Sequence, residues 1–230
     1  MISVLDKGFV SLVSSMGNDS SVVNAARVSL NNDSTEPDIT RDRKLIDYLL
    51  RNGHTSPFEH VVFTFHVKCP MFVRSQWMRH RTWSFNEVSR RYTSEDIDFY
   101  IPSELRRQAE SNLQASTDEI ITEIISGETV SQSLSSITYG AVEYYHLLLD
   151  IGVAREQARM VLPQNMYTRF YATVDLHNLL HFIKLRDSEH AQFEMREYAS
   201  SVRKLITEIV PITMDVWSLI NYENHKSSYD

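Results

Sequence analysis

The stretch SPFEHVVFTFHVKCP, residues Ser56–Pro70, carries the strongest signal for the fold. Within it Phe63, Phe65 and Val67 alternate with polar residues, which is the two-residue period of a half-buried β-strand. Because the proline at its end fixes a backbone angle that suits the first turn of a helix, we expect a helix over residues 71–80. The stretch therefore predicts a strand that is followed directly by a helix.

A second alternating stretch, MYTRFYATVD at residues 166–175, predicts a second main strand that pairs with the first. Its last residue, Asp175, can accept hydrogen bonds from the first backbone N–H groups of a helix. Leucine and isoleucine recur at helical spacing after it, and the helical pattern continues to about Val210. Pro211 is expected to break this pattern before a last helix that carries Trp217.

Helical patterns fill most of the remaining chain, so the predicted fold class is α+β. We expect a small antiparallel sheet packed among long helices, in a single domain over residues 1–230. Two helices are expected within residues 103–149, with a break near Ser126–Gly127. The other expected elements are a polar loop at 31–38, a helix at 41–52 that ends before Gly53, and a short helix between Gly152 and Pro163.

The composition of the 230-residue chain is ordinary, with 42% apolar and 23% charged residues. Its N-terminus mixes acid and base within a short apolar run, unlike a signal peptide, and no stretch approaches the roughly 20 apolar residues of a membrane helix. Its single cysteine, Cys69, suits a reducing compartment. We therefore expect a cytoplasmic protein with no membrane contact, and the net charge of −7 argues against generic nucleic-acid binding.

Positive charge is concentrated in the stretch RHRTWSFNEVSRRY, residues Arg79–Tyr92. From Arg74 onward this window holds five arginines against one carboxylate, Glu87, a balance of +4 in an acidic chain. Lysine is absent from residues 69–92 and aromatic side chains lie between the charges, whereas an ordinary solvated face uses lysine and glutamate freely. Guanidinium groups match phosphate oxygens with two parallel hydrogen bonds, so the window predicts a phosphate-binding site.

Glycine-rich phosphate-binding motifs and standard nucleophile motifs are missing from the sequence. Neither GxGxxG nor GxxxxGK[ST] occurs, so any nucleotide or flavin would be held by arginines and loops. Cys69 lies at a strand end, where burial as a small hydrophobe is the favoured interpretation. Ser84 and Ser89 are outside any GxSxG elbow, so Ser89 is interpreted as a hydrogen-bonding ligand and not as a nucleophile.

Three other kinds of function stay open on the residues alone. Arginines and aromatic side chains could contact the phosphates and bases of a nucleic acid. His177 and His181 lie four apart on one helix face, and with Asp175 or Asp187 they could hold a metal ion in a phosphohydrolase. In a structural helical assembly, the arginines would pair with acids of neighbouring subunits. Glu87 could neutralise one arginine or accept a hydrogen bond from a ligand.

The Arg-rich stretch also resembles a known signature. Residues 79–91 match RHRxxSxNExSxR at its eight fixed positions, and this pattern is similar to that of the flavin-dependent thymidylate synthases. The resemblance extends over most of the chain, from residue 5 to about residue 198, with little contribution from residues 103–150. It also includes GHTSPFEH at 53–60, QWMRHR at 76–81, ARMVLP at 158–163, NMYTRF at 165–170 and LRDSEHAQFEMR at 185–196.

The resemblance implies a specific reaction, the methylation of dUMP to dTMP. The carbon would come from 5,10-methylenetetrahydrofolate, and NADPH would reduce a bound FAD that supplies the hydride. The family uses no enzyme nucleophile, and no metal is implied. It has an α+β fold, that of the thymidylate synthase complementing proteins, and forms homotetramers whose active sites draw on more than one subunit.

The resemblance further implies which residues form the site. Arg186 would be catalytic, because a guanidinium at uracil N3 and the adjacent carbonyl would stabilise the negative charge that activates the ring. Arg90 fills a free position of the signature and is expected to add charge beside the nucleotide. The flavin would be held by His54, Ser56, Arg79, His80, Arg81, Glu87, Asp175, His177 and His181. The nucleotide would be held by Gln76, Trp77, Met78, Arg79, Glu87, Val88, Ser89, Arg90, Arg91, Arg159 and Arg186.

Overall fold

A five-stranded antiparallel sheet lies among helices, as the sequence predicts. The computed structural model describes residues 1–29, 38–95, 97–110 and 116–226. The strands are β1 (Ile2–Val4), β2 (Gly8–Met16), β3 (Val62–Pro70), β4 (Ser84–Glu87), β5 (Arg106–Gln108), β6 (Ser116–Ile120), β7 (Ile124–Ile125), β8 (Glu128–Thr129) and β9 (Tyr167–Asp175). The main sheet has the order β1-β2-β3-β9-β4, and β5-β6 and β7-β8 form two separate hairpins. The predicted α+β class is confirmed.

Helices surround this sheet and connect its strands. They are α1 (Asp19–Val28), α2 (Ile39–Arg51), α3 (Met71–Trp77), α4 (Val130–Asp150), α5 (Arg155–Ala158), α6 (Leu176–Arg186), α7 (Phe193–Thr207) and α8 (Pro211–Lys226). Short 3-10 turns cover Ser56–His60 and Arg159–Val161.

The two strands that the sequence predicts, β3 and β9, lie side by side at the heart of the sheet. They are antiparallel, with Phe63 opposite Val174 and Phe65 opposite Ala172. Phe63 and Phe65 are fully buried, while the residues between them on β3 are half-buried. Full burial of a phenylalanine side chain contributes about 1.5–3 kcal/mol, so this alternating face anchors the core. The predicted alternation and pairing are confirmed.

The first and last described helices are joined by a buried carboxylate. Asp19, in the first turn of α1, accepts hydrogen bonds from the backbone N–H groups of Ile212 and Thr213 at 2.8 and 3.0 Å. It also accepts one from the Thr213 hydroxyl at 2.6 Å. These are N–H groups of the first turn of α8, which have no partner within the helix itself. The side chain of Asp19 therefore caps α8, whose residue Ile212 lies 193 residues later in the sequence.

Several predicted helices are present with altered limits. The helix expected at 41–52 is α2, and the helix expected at 71–80 ends at Trp77, after which residues 78 and 79 form a turn. Asp175 caps α6 as predicted, accepting from the backbone N–H of Asn178 at 2.9 Å. The helical pattern to Val210 is interrupted between α6 and α7, and Pro211 opens α8. The expected loop at 31–38 lies almost wholly outside the described residues.

The prediction of two helices within residues 103–149 is wrong for its first half. The described residues before 130 form the short hairpins β5-β6 and β7-β8, and only α4 is helical. The expected break is present as the turn of β7-β8, where Ser126 and Gly127 have φ angles of 54° and 88°. Positive φ at both central residues is the geometry of a tight type I′ hairpin turn. The isoleucines before this turn give a spacing that resembles a helical stripe.

Candidate active site

The C-terminal end of α3 is held in the core by Trp77. This indole is fully buried and packs against the rings of Trp83, Phe170 and Phe182, with centroids 5.8, 5.5 and 4.9 Å away. Trp77 and Trp83 therefore face inward between charged neighbours, whereas Tyr92, at the end of the Arg-rich stretch, is 79% exposed. The packed rings of Trp77, Trp83, Phe170 and Phe182 form an aromatic cluster that supports the neighbouring polar groups.

Arg186, the predicted catalytic residue, lies at the end of α6 beside this aromatic cluster. Its Nε donates a hydrogen bond to His80 Nε2 at 3.0 Å, and its Nη2 donates to the backbone oxygen of Gln76 at 3.4 Å. Burial lowers the pKa of Arg186 from its usual value, although a guanidinium stays charged at any working pH. The structure therefore brings together three predicted residues, Gln76, His80 and Arg186.

His80 is itself buried, with only 8% of its surface exposed. Burial lowers the pKa of His80 to about 4, and the positive charges of Arg186 and His181 act in the same direction. The ring of Phe182 meets it edge to face at 5.0 Å, and that of His181 lies 6.2 Å away. His80 is therefore a neutral imidazole at physiological pH.

Glu87 is fixed by two partners, and one of them is an arginine. Arg74 donates to Glu87 Oε2 from Nε at 2.9 Å and from Nη2 at 2.6 Å. The hydroxyl of Thr168 donates to Oε1 of the same carboxylate at 2.8 Å. Of the two roles open to Glu87, the described residues show the neutralisation of an arginine.

Three residues predicted to hold flavin line one cavity of about 270 Å³, and they are His54, His177 and His181. Its apolar wall includes Leu50, Phe58, Leu180 and Trp217, and Lys184 adds a cation. Flat apolar surface with a few polar groups at its rim suits a planar heteroaromatic ring. The side chains at this cavity therefore fit part of a flavin.

Two other residues predicted to hold flavin, Ser56 and Asp175, differ in whether their side-chain oxygens already have a hydrogen-bond partner among the described residues. Ser56 is exposed in the 3-10 turn that begins at this residue, close in sequence to His54. Both carboxylate oxygens of Asp175 are bonded to Asn178, one to its backbone N–H and the other to its side-chain amide at 2.6 Å. Asp175 therefore acts first as the cap of α6.

Arg91 lies in a separate cleft of about 280 Å³ at the surface. The cleft is lined by Arg91, Tyr92, Arg155 and Glu156. Arg159, also exposed, lies one turn further along and donates from Nε to the backbone oxygen of Glu156 at 3.3 Å. Three guanidinium groups thus lie on neighbouring segments at this surface, and such a set can hold a phosphate.

The side chains of two predicted nucleotide residues point into the protein. Trp77 belongs to the core, so only its backbone could approach a ligand. Arg90 is 8% exposed and donates from Nη1 to the backbone oxygen of Glu95 at 2.5 Å. The guanidinium of Arg90 thus donates within the fold, and its expected contribution of charge beside the nucleotide stays a prediction.

The remaining predicted residues are at least partly accessible. Arg79 and Arg81 are exposed, and Met78, Val88 and Ser89 are half-buried. The backbone N–H of Val88 is bonded to Arg169 O at 2.9 Å, and the Ser89 hydroxyl accepts from the backbone N–H of Arg91 at 3.3 Å.

The interpretation of Cys69 as a small buried hydrophobe is confirmed. Its side chain is fully buried in β3, and burial raises the pKa of the thiol well above its usual value, with the nearby charge of Glu87 adding to the shift. A thiol that stays protonated and buried is a poor nucleophile.

Sequence reasoning missed several residues that the structure places at the site. Arg74 and Thr168 hold Glu87, Arg155 shares the cleft of Arg91, and Lys184 and Gln192 complete the surroundings. The amide of Gln76 donates to the amide oxygen of Gln192. Arg74 was counted in the Arg-rich window without a role of its own, and Arg155 had a usable signal, because it lies four residues before Arg159 in a predicted helix.

Metal-binding clusters and membrane-spanning helices are both absent from the parts of the chain that the structure describes. These parts contain no group of three or more histidine, cysteine, aspartate or glutamate side chains arranged to hold a metal ion. Within the same residues, no helix combines the length and the apolar character that crossing a membrane requires.

Comparison with known proteins identifies the family. The profile of the Thy1 family, described as "Thymidylate synthase complementing protein", matches residues 11–212. A flavin-dependent thymidylate synthase of Thermus thermophilus is 50% identical over 211 residues, which cover 92% of this chain and 76% of the relative. That of Thermotoga neapolitana is 46% identical over 222 residues, 96% of each chain.

Solved structures agree with this assignment. The UMP/dUMP methylase PolB from Streptomyces cacaoi, bound with 5-Br dUMP, superposes with a TM-score of 0.82 at 36% identity, covering 95% of this chain and 97% of PolB. The same enzyme bound with 5-Br UMP superposes with a TM-score of 0.78. The chain therefore belongs to the Thy1 family and is an enzyme of the flavin-dependent thymidylate synthase group.

Proposed function

We propose that this protein methylates dUMP to dTMP, using 5,10-methylenetetrahydrofolate as carbon donor and NADPH, through FAD, as the source of hydride. The names of its relatives and the dUMP analogue bound to PolB support the substrate. The observation that carries the proposal is the setting of Arg186, a half-buried guanidinium whose two partners among the described residues are both uncharged. Such a group retains its positive charge for a ligand.

Arg186 is the residue proposed to activate the uracil ring. Carbon 5 of uracil is a weak nucleophile, and electron density there rises when the N3 proton is removed or polarised. A fixed guanidinium at N3 and the adjacent carbonyl stabilises the resulting negative charge. Preorganised donors of this kind commonly contribute about 3–4 kcal/mol each.

The exposed arginines are proposed to hold the phosphate of the nucleotide. Arg79, Arg91 and Arg159 are accessible, and guanidinium forks bind phosphate oxygens in pairs. Glu87 and Ser89 lie in the same stretch and are proposed to contact the nucleotide, with Arg74 fixing the direction of Glu87. Binding energy at the phosphate end would position the base at Arg186.

The cavity of His54, His177 and His181 is proposed to hold part of the flavin, with Ser56, Arg79, Arg81, Glu87 and Asp175 completing its contacts. When bound, the flavin supplies the hydride chemistry. The chain's own residues orient it, since imidazole N–H groups can donate at the ring edge while the apolar wall excludes water. The buried thiol of Cys69 supports a reaction without an enzyme nucleophile.

A homotetramer with shared active sites is proposed on family grounds, and the surface of α4 supports subunit association. Ile137, Tyr144, Leu147 and Ile151 are 71%, 53%, 52% and 68% exposed. Their spacing of seven, three and four residues places them along one stripe at α4, of the kind that packs against another helix. The single buried cysteine supports a reducing compartment such as the cytoplasm.

The test is an assay for dTMP with purified protein, dUMP, 5,10-methylenetetrahydrofolate and NADPH, with and without added FAD. We expect dTMP formation, a flavin absorption band in the purified protein, and loss of activity when FAD is removed. A protein that binds no flavin and forms no dTMP when FAD is supplied would contradict the proposal.

A further inference from the structure

The contact between His80 and Arg186 fixes the protonation state of the imidazole. Arginine has only donors, so the Nε–H of Arg186 requires an acceptor lone pair on His80 Nε2. The contact distance is 3.0 Å. His80 must therefore be neutral, with its proton on Nδ1. Its burial and its pKa of about 4 agree with this requirement.

We infer that His80 is a positioning residue for Arg186, whose neutral imidazole accepts from Nε and aims the guanidinium at the nucleotide base. This inference rests on the proposed role of Arg186 and extends it. The family resemblance alone would place His80 among the flavin ligands, which is a different role with different consequences.

The geometry leaves the reactive end of the guanidinium available. Arginine carries five N–H donors, and Arg186 uses two of them within the described residues, one on His80 and one on the backbone oxygen of Gln76. The other three, by subtraction, belong to the two terminal nitrogens. The two contacts, at Nε and at Nη2, together set the plane of the group, which a single contact would leave free to rotate.

The neutrality of the partners matters as much as their position. A carboxylate at Nε would hold Arg186 equally well but would offset its positive charge, as Glu87 does for Arg74. An imidazole lone pair and a peptide carbonyl orient the guanidinium while leaving the full unit of charge for the anion that forms on the ring. Of the common side chains, neutral histidine suits this buried position because it is rigid and carries a single acceptor atom.

The experiment compares two substitutions that differ in one property. In His80→Gln the side-chain oxygen can replace Nε2 as the acceptor, and in His80→Leu a side chain of similar bulk has no acceptor. We expect His80→Gln to keep kcat within about 5-fold of the original protein and His80→Leu to lower it about 100-fold, the size of effect that a misplacement of about 1 Å produces. The affinity for dUMP should weaken in His80→Leu, because Arg186 is no longer held against the base, and should change little in His80→Gln.

Flavin content and stability are measured on the same proteins. His66→Leu is the matched control, because His66 is a partly buried histidine of β3 whose pKa burial also lowers, and it stacks on Tyr171 instead of contacting Arg186. We expect His66→Leu to keep kcat, and both His80 variants to keep their flavin. If His80→Leu does not fold, His80→Met, which is equally without a strong acceptor, takes its place.

A double substitution tests the route through Arg186 without any turnover. The dissociation constant of dUMP is measured by calorimetry for His80→Leu, for Arg186→Ala and for the two combined. We expect the combination to bind dUMP as Arg186→Ala does, since His80 has nothing left to position. Three outcomes would each overturn the inference. The first is equal kcat in His80→Leu and His80→Gln, and the second is a loss of flavin in His80→Leu that added FAD reverses. The third is a loss of dUMP affinity in the double variant that equals the sum of the two single losses. An original protein that neither binds nor methylates dUMP would instead refute the proposed function.

Discussion

Arg74 on α3 and Arg186 at the end of α6 both donate to a residue of the Arg-rich stretch, but these partners differ in charge. Arg74 lies on a carboxylate, with two hydrogen bonds to Glu87, and its positive charge is compensated within the protein. Arg186 donates to an imidazole nitrogen and a peptide oxygen, and no described carboxylate pairs with its charge. The difference separates two uses of one residue type. Arg74 stabilises and orients Glu87, whereas Arg186 is arranged to act on a bound ligand, proposed above to be the nucleotide base.

The strongest test of this comparison is Arg186→Ala. We expect a loss of kcat of about 10²–10³-fold, because a preorganised donor of this kind contributes about 3–4 kcal/mol to transition-state stabilisation. The protein should stay folded and keep its flavin, since neither partner of Arg186 is left with an unpaired charge. The rate of dTMP formation, the absorption band and the thermal midpoint are the measurements. Activity close to that of the original protein would contradict the contrast with Arg74.

The pH dependence of stability tests the neutral partner. The pKa of His80 is lowered to about 4 in the folded protein from about 6.5 in the unfolded chain. The unfolded state therefore binds a proton first as the pH falls, and stability that is present above about pH 6.5 is lost progressively down to about pH 4. The loss amounts to at most about 3 kcal/mol.

Denaturant unfolding at pH 7.5 and pH 5 measures this effect. The difference in unfolding free energy between the two pH values should shrink in His80→Gln, because an amide does not titrate. An unchanged difference would mean that other groups dominate the acid sensitivity.

Substitution of Arg74 should show the opposite balance between stability and rate. In Arg74→Met the half-buried Glu87 keeps only the hydroxyl of Thr168, and loss of one partner of a largely buried polar group costs about 1–3 kcal/mol. Arg186→Met, the matched variant, leaves only neutral groups behind and should cost less. Chemical denaturation of both proteins measures the difference. Equal losses of stability would remove the distinction between the two arginines.

The smallest effect is expected at Cys69, which lies close to Glu87 and Arg74. Its thiol is buried and protonated, so Cys69→Ala should leave kcat within about 3-fold while lowering stability by about 1 kcal/mol through the small cavity it creates. Steady-state kinetics and thermal unfolding check both values. A loss of activity beyond 10-fold at unchanged flavin content would mean that the site depends on the thiol.

The parts of the fold that sequence predicted are those with a strong local pattern. The alternation of Phe63, Phe65 and Val67 and the capping residue Asp175 specify their elements through neighbours in the chain. The hairpins β5-β6 and β7-β8 lack such a pattern, because strands of two to five mostly exposed residues bury no continuous face. A serine at positive φ in the turn gave a weaker signal than a glycine pair would have given.

The site divides in a similar way. The spacing of the Arg-rich stretch and its resemblance to a family named the candidate residues, but not their pairing. The contact of Arg186 with His80 joins residues 106 apart in sequence, and it exists because α6 packs beside the turn after α3. The burial of Arg90 also depends on tertiary packing, so its charge could be assigned from sequence and its direction could not.

The cap that Asp19 places on α8 has a consequence for how the protein is made. Asp19 and Thr213 are 194 residues apart, so this cap cannot form until the chain up to residue 213 has left the ribosome. At synthesis rates of about 5–20 residues per second, that interval is roughly 10–40 s. During it Asp19 is a carboxylate without its partners. We expect nascent chains truncated before residue 211 to be more sensitive to protease than chains that include α8, with α1 among the segments cut first.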